Sequence, residues 1–132
     1  MADSAGAGAD LDNLRYGRET EPFARDEYSC LKDTPVIEAG LVVSKEFPWL
    51  SASPDGLVIQ DDGSVLVLEI KCPVSEQDGK IDVDWTIEGK LKKSHSYYAQ
   101  VQVQMFCCDV KLCHLYVYGT QDSKNIPVGK RW

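Results

Sequence analysis

Residues 64–72 carry the sequence SVLVLEIKC, in which Val65–Leu68 is an uninterrupted apolar run. Such a run is typical of a β-strand that is covered on both faces, and Pro73 ends it. The preceding tripeptide Asp61–Gly63 (DDG) is a strong hairpin signal. We therefore predict that Gly56–Ile59 folds back against residues 64–72, and that residues 64–72 form a central strand.

The patterns on either side of this hairpin predict an α/β fold. Residues 16–31 are typical of a helix that begins near Thr20 or Glu21, because Pro22 is tolerated only in a first helical turn. The other expected elements are a strand at 36–43, a second strand that comprises 50–53 and 56–59 and is interrupted at Pro54–Gly56, a loop with a short helix near Trp85 at 74–93, a helix at 94–108 and a strand at 112–118. The order of helix, three strands, helix and strand indicates a mixed β-sheet flanked by helices.

The first thirteen residues differ in composition from the rest of the chain. Residues 1–13 are rich in Ala, Gly, Asp and Ser, which predicts a flexible tail. The length of the remainder suits a single domain at residues 14–132.

The bulk composition is that of a soluble globular domain, with 43% apolar and 27% charged residues. No apolar run in the sequence is long enough to span a membrane. The five cysteines are odd in number and include no CxxC pair, which argues against a disulfide framework and a zinc ribbon. Free thiols indicate a reducing compartment, so we expect an intracellular protein, nuclear or cytoplasmic in a eukaryote.

The net charge of −7 argues only weakly against a nucleic-acid-binding protein. Carboxylates that hold divalent metal ions add to the negative count, and the bound ions then reverse the local sign. One local basic segment, Gly89–His95, contains three lysines and no acidic residue. This segment is either a DNA-binding patch or the solvated start of a helix.

Two charged residues at the end of the central strand are the first candidates for chemistry. Glu69 and Lys71 point to the same face because strand side chains alternate. Alone, this pair is typical of a structural ion pair, since charges at the end of a buried strand need partners. The predicted hairpin also brings Asp55, in Ser53–Gly56 (SPDG), toward Glu69, although Pro-Asp-Gly alone is typical of a plain turn. Two carboxylates beside a lysine are able to hold Mg²⁺ through oxygen ligands.

Two helical segments supply further candidates. Glu21 would complete the site if it faced the sheet; the alternative is an acidic residue favoured by the helix dipole. Tyr97, Gln100 and Gln104 flank the apolar stripe of the helix at 94–108, as functional groups or as the neutral polar edge of an amphipathic helix.

In their sequences and in their order along the chain, these motifs resemble those of the YqaJ-type viral recombinase nucleases, a lambda-exonuclease-like family of the PD-(D/E)XK superfamily. The resemblance extends from about Tyr16 to Tyr118. The matching pieces are Gly17, Glu21 and Ala24, then Ser53–Gly56 (SPDG), then Leu68–Pro73 (LEIKCP), and finally Tyr97 with Ala99–Gln102 (AQVQ).

The resemblance implies a restriction-endonuclease-like fold and hydrolysis of DNA phosphodiester bonds with Mg²⁺, for which Mn²⁺ substitutes. Asp55, Glu69 and the main-chain carbonyl of Ile70 would bind the metal. Lys71 would position and activate the attacking water. Glu21 would support the metal directly or through water, and Gln100 would orient Lys71 or contact the scissile region. The implied substrate is duplex DNA with an end, in recombination or repair, and a homo-oligomer is consistent with the trimeric rings of relatives.

Other functional classes remain as alternatives. Only sixteen residues precede Gly17, whereas relatives carry a DNA-binding helical segment there, so we expect a fragment or a reduced version. A catalytically inactive nuclease fold that binds DNA or a protein is therefore the second hypothesis. The cysteine spacing does not match an iron–sulfur cluster. The chain also lacks the GxSxG motif of many serine hydrolases, and His114 is interpreted as a surface or packing residue.

Overall fold

The computed structural model describes residues 2–73, 86–87, 90–93, 96–119 and 122–131. Two helices and eight strands lie within these ranges. In chain order they are α1 (Ala2–Lys32), β1 (Val42–Val43), β2 (Ser51–Ala52), β3 (Gly56–Ile59), β4 (Val65–Lys71), β5 (Thr86–Ile87), β6 (Lys90–Leu91), α2 (Ser96–Cys108), β7 (Leu112–Val117) and β8 (Lys124–Gly129).

A four-stranded mixed sheet with the order β3-β4-β7-β8 forms the centre of the fold. Strand β4 pairs antiparallel with β3 and parallel with β7, while β8 pairs antiparallel with the other edge of β7. The hairpin between β3 and β4 turns at Gly63, whose φ of 87° lies in the left-handed region that favours glycine. The predicted hairpin, the central strand and the mixed α/β fold are all confirmed.

The two helices cover opposite faces of this sheet. Leu66, Leu68 and Ile70 of β4 belong to a cluster that also contains Ala24 and Tyr28 of α1. Val67, the residue between Leu66 and Leu68, packs instead in a cluster with residues of α2. Because side chains alternate along a strand, Glu69 and Lys71 share the α2 face with Val67. The burial of β4 on both sides explains why its sequence is almost continuously apolar.

Helix α1 is longer than the sequence predicts. It begins at Ala2, so residues 2–13 of the flexible tail expected at 1–13 are helical, and Pro22 lies inside the helix rather than in its first turn. Alanine has the highest helix propensity, and it recurs in the first turns of α1. Pro22 has no N–H to donate to the carbonyl of Arg18, and the helix continues without that hydrogen bond. In the described part of the chain, no helix has the length and apolar character required to cross a membrane.

The strand predictions need two corrections. The expected strand at 36–43 is broken into a single bridge from Ile37 to Leu57 and the two-residue strand β1. Strand β8 follows the predicted stop at Gly119, in a segment for which no element is predicted; it lies at the edge of the sheet, where Pro127 is tolerated. The short helix expected near Trp85 lies outside the described residues, and β5 pairs with β6 just after it.

His114 links β7 to α1. Its Nδ1 lies 2.6 Å from the hydroxyl of Tyr28, and the two rings are in edge contact. Burial, with a smaller effect of the Lys32 charge, lowers the pKa of His114 to about 4. The neutral ring is therefore a packing residue, as interpreted from the sequence.

Candidate active site

Asp55 lies in the tight connection between β2 and β3. Its Oδ2 accepts a hydrogen bond from the main-chain N–H of Ile70, with a distance of 2.7 Å. The connection is closely packed, because a Cβ atom on Gly56 would lie 2.3 Å from Cγ1 of Val36. Glycine thus lets the chain pass close to Val36 and start β3 beside the end of β4. This local packing fixes the Asp55 carboxyl against the backbone of the central strand.

Glu69 is a buried carboxylate held by two glutamines of α2. Its side chain is only 4% exposed. Oε2 accepts from Gln100 Nε2 at 2.8 Å, and Oε1 accepts from Gln104 Nε2 at 3.2 Å. Oε2 also lies 3.2 Å from Nζ of Lys71. These contacts compensate a charge whose burial would otherwise be costly.

Lys71 is positioned by the same helix. Its Nζ donates to Gln100 Oε1 at 3.0 Å and lies 4.3 Å from the centroid of the Tyr97 ring. Gln100 therefore bridges Lys71 and Glu69, accepting from one through its oxygen and donating to the other through its nitrogen. The i and i+3 spacing of Tyr97 and Gln100 places both beside β4 on the same side of α2.

Glu21 reaches the site from α1, on the other side of the sheet. Burial and the adjacent Asp55 carboxyl raise the pKa of Glu21, while Arg25 opposes this effect. Arg25 NH2 contacts Glu21 Oε2 at 2.8 Å, and its NH1 contacts Glu38 at 3.0 Å. The guanidinium thereby holds Glu21 toward Asp55.

Asp55 is the electrostatic centre of the acidic group. Its pKa is raised to about 6, first by burial and then by its contact with the Glu69 carboxyl. The hydrogen bond from Ile70 N–H works in the opposite direction. Since Asp55 contacts Glu21 on one side and Glu69 on the other, three carboxyl groups form a continuous acidic row at the end of β4.

The row has the oxygen ligands that Mg²⁺ and Mn²⁺ prefer, with the main chain of Ile70 beside it. Among the described residues, however, no group of three or more His, Cys, Asp or Glu is arranged to hold a metal ion. The oxygens of Glu69 contact Lys71, Gln100 and Gln104. In chemical type, the oxygen donors of this row fit a hard divalent cation. A cation would also relieve the repulsion within the row.

All the side chains proposed from the sequence meet at this end of β4, by direct contact or through one neighbour. The sequence assigns no specific role to two contributors, one of them the candidate Gln104. Gln104 holds Glu69, and Arg25 holds Glu21. The sequence contained a signal for Gln104, which lies four residues after Gln100 and therefore on the same helical side. Arg25 had no comparable signal, because its partner Glu38 comes from a separate segment.

The contact between Gln104 and Glu69 yields a stability prediction. We expect Gln104→Leu to lower the free energy of unfolding by about 1–2 kcal/mol, because a buried carboxylate loses a hydrogen bond. The loss is limited because Gln104 Oε1 is itself buried without a partner, and leucine removes that cost. Urea unfolding at neutral pH measures the change. Gln102→Leu is the control, because it removes hydrogen bonds to the main chain of Gly129 and Arg131 but none to a buried carboxylate; an equal loss in both variants would contradict this account.

Comparisons with known proteins agree with the fold and with the ordered motifs. Residues 2–111 match the model of a family described as the YqaJ-like viral recombinase domain. The alkaline nuclease of Orgyia pseudotsugata multicapsid polyhedrosis virus is 29% identical over 115 residues, which cover 70% of this chain and 26% of the viral protein.

Two solved structures of an alkaline exonuclease are also similar. LHK-Exo from Laribacter hongkongensis superimposes with a TM-score of 0.69 and 26% sequence identity over 90% of this chain. The structure of LHK-Exo in complex with dAMP gives the same TM-score and identity over 91% of this chain. The chain thus spans 59% of the bacterial exonuclease and about a quarter of the viral nuclease.

Proposed function

The chain belongs to the YqaJ-like viral recombinase domain family, and on that premise we propose that it is a metal-dependent nuclease that hydrolyses DNA. The observation that carries the proposal is the meeting of Asp55, Glu69 and Lys71 at the end of β4. The similar proteins are a nuclease and an exonuclease, one of them in complex with dAMP, which supports DNA as the substrate. We further propose exonuclease action on linear duplex DNA in recombination or repair.

Asp55, Glu69 and the main-chain carbonyl of Ile70 would hold Mg²⁺ or Mn²⁺, with Glu21 in support. When bound, the metal would stabilise negative charge on the phosphate and lower the pKa of a bound water. The continuous row of carboxyl groups from Glu21 to Glu69 supports this assignment, because neighbouring negative charges favour a divalent cation.

The ammonium group of Lys71 supplies a fixed positive charge beside these carboxylates. Its role is to attract the phosphodiester and to favour hydroxide over water as the nucleophile. Gln100 accepts a hydrogen bond from Lys71 while donating one to Glu69, so it fixes both groups at once. Restricting the motion of the lysine in this way reduces the reorganisation that the transition state would otherwise require.

The direct test is degradation of end-labelled linear duplex DNA by the intact protein. We expect hydrolysis with Mg²⁺ or Mn²⁺ and its loss when EDTA removes the metal. A covalently closed circle of the same sequence is the matched substrate: an exonuclease digests only the linear form. Lack of hydrolysis with both metals would contradict the proposal.

A catalytically inactive fold that binds DNA or a protein is the second candidate function. It is favoured by the internal hydrogen bonds of Glu69, which satisfy that carboxylate within the protein. Calorimetric titration with Mn²⁺ separates the two functions. Metal binding that Asp55→Ala abolishes supports the nuclease, whereas no metal binding supports the inactive module.

A further inference from the structure

Trp49 is the most exposed large apolar side chain in the described part of the molecule. It lies in the loop between β1 and β2, and 81% of its surface is accessible to solvent. Tryptophan is usually well buried, because its large apolar surface is unfavourable in water. An indole in this position therefore indicates a contact with another molecule.

The loop that carries Trp49 is held in one shape by hydrogen bonds. Ser44 N–H donates to the carbonyl of Leu50 at 2.8 Å, and Leu50 N–H donates to the carbonyl of Phe47 at 2.9 Å. The buried hydroxyl of Ser44 also accepts from Phe47 N–H at 3.0 Å. Trp49 is thus presented on a closed turn, which reduces the entropy lost when a ligand binds it.

Two further aromatic rings support the indole, one in tilted contact with it and one stacked on the first. The rings of Trp49 and Phe47 are 5.3 Å apart, and Phe47 in turn stacks on Phe106 of α2 at 5.8 Å with an angle of 18°. The platform formed by Phe47, Trp49 and Phe106 is therefore anchored on α2, the helix that also carries Gln100 and Gln104.

The surroundings of the platform are basic, although the chain as a whole has a net charge of −7. Lys45 and Lys130 line a cavity of about 270 Å³ with Phe106, together with the acidic Glu46 and Asp109. Two more basic residues lie close by. The main-chain oxygen of Lys111 accepts a hydrogen bond from Lys130, and the main-chain N–H of Arg131 donates to Gln102 of α2. The cavity lining itself is balanced, with two basic and two acidic residues, and the local excess of basic residues comes from Lys111 and Arg131, whose main chains lie beside it.

The platform is close to the candidate active site. Trp49 precedes β2, which leads directly to Asp55 six residues later. On α2, Phe106 follows Gln100 by six residues, which corresponds to about 9 Å along the helix axis. A DNA strand bound at the acidic row would reach this platform within a few nucleotides.

We propose that Trp49 stacks on an unpaired nucleobase of the DNA strand, while the basic residues around it contact phosphates. This inference rests on the proposed DNA substrate and specifies how a single-stranded part of it is held. An exposed aromatic ring beside basic side chains is the combination by which proteins bind single strands independently of sequence. A protein partner would be expected to cover an apolar area with fewer charges at its centre.

The test is binding of a fluorescein-labelled oligothymidylate of about 12 nucleotides to the full chain in EDTA, where cleavage does not interfere. Trp49→Ala is expected to raise the Kd by roughly 5- to 150-fold, because stacking contributes about 1–3 kcal/mol per base. Trp49→Tyr retains an aromatic face and is expected to restore most of the affinity. Leu31→Ala, which removes another exposed apolar side chain at the far end of α1, is the control.

A second measurement observes the indole itself. In a chain carrying Trp85→Phe and Trp132→Phe, Trp49 is the remaining tryptophan, and the oligonucleotide should quench its fluorescence. An unchanged Kd in Trp49→Ala would overturn the inference. It would also be overturned if Trp49→Ala lost only self-association, as measured by sedimentation. Binding is measured without hydrolysis, so an inactive protein with Trp49-dependent binding would refute the nuclease proposal and still support this inference.

Discussion

Lys71→Ala is expected to lower the rate of DNA hydrolysis by about 100- to 10,000-fold at saturating Mg²⁺, the range for loss of a positioned catalytic group. Nζ of Lys71 is held 3.2 Å from Glu69 and 3.0 Å from Gln100, so the charge is prepared before substrate arrives. Removing the ammonium group of Lys71 leaves the site without this cation near the negative charge that develops on the phosphate. Initial rates on linear duplex DNA, at a series of Mg²⁺ concentrations, measure the effect.

The controls separate loss of chemistry from loss of structure. Glu69 keeps Gln100 and Gln104 as partners in the variant, so we expect the cooperative unfolding transition to be preserved. Lys32→Ala removes an exposed lysine on the opposite face of the sheet and should leave the rate within about twofold, as surface substitutions usually do. Lys71→Arg retains the charge with a different shape, and is expected to restore only part of the rate. A Lys71→Ala rate close to that of the unmodified protein would exclude the proposed role.

The central part of the fold was predictable because its signals are local. The apolar run of β4 and the turn at Gly63 define the hairpin, and strand alternation then fixes Glu69 and Lys71 on one face. Asp55 follows from the same hairpin, since β3 begins beside Leu68, in the register Gly56↔Leu68, and Asp55 immediately precedes it. Recognising the ordered motifs added Glu21 and Gln100, which come from helices that no local pattern connects to the sheet.

The parts that escaped prediction depend on distant contacts or on competing local signals. Pro22 suggested a helix start, yet α1 extends through it, because a single lost hydrogen bond does not stop a long helix. No element is predicted for the segment that forms β8, and Pro127 is acceptable in that strand because it lies at the sheet edge. The role of Gln104 depends on the packing of α2 against β4, which sets the distance to Glu69 and which helical periodicity alone does not specify.

The metal-free protein should become more stable when Asp55 is replaced by asparagine, even though hydrolysis is lost. Burial and the neighbouring Glu69 raise the pKa of Asp55 to about 6, above its ordinary value of 3.8. The folded state therefore holds the proton more tightly than the unfolded chain. The associated stability is fully present below about pH 4 and is lost as the pH rises through 6. Asparagine avoids this loss and keeps an oxygen that is able to accept from Ile70 N–H.

We expect Asp55→Asn to raise the free energy of unfolding at pH 8 by about 1–3 kcal/mol in EDTA, and to lower the rate of hydrolysis at least about 100-fold. The difference in stability should disappear near pH 4, where the native carboxyl is protonated, and urea unfolding at both pH values measures it. Asp62→Asn is the matched control, because hydrogen bonds from Ser64 lower the pKa of that exposed carboxyl and the expected change has the opposite sign. A loss of stability at pH 8 in Asp55→Asn would show that the Asp55 carboxylate stabilises the fold. That result would contradict our account, in which the carboxylate lowers the stability of the metal-free protein and is present for metal binding and hydrolysis.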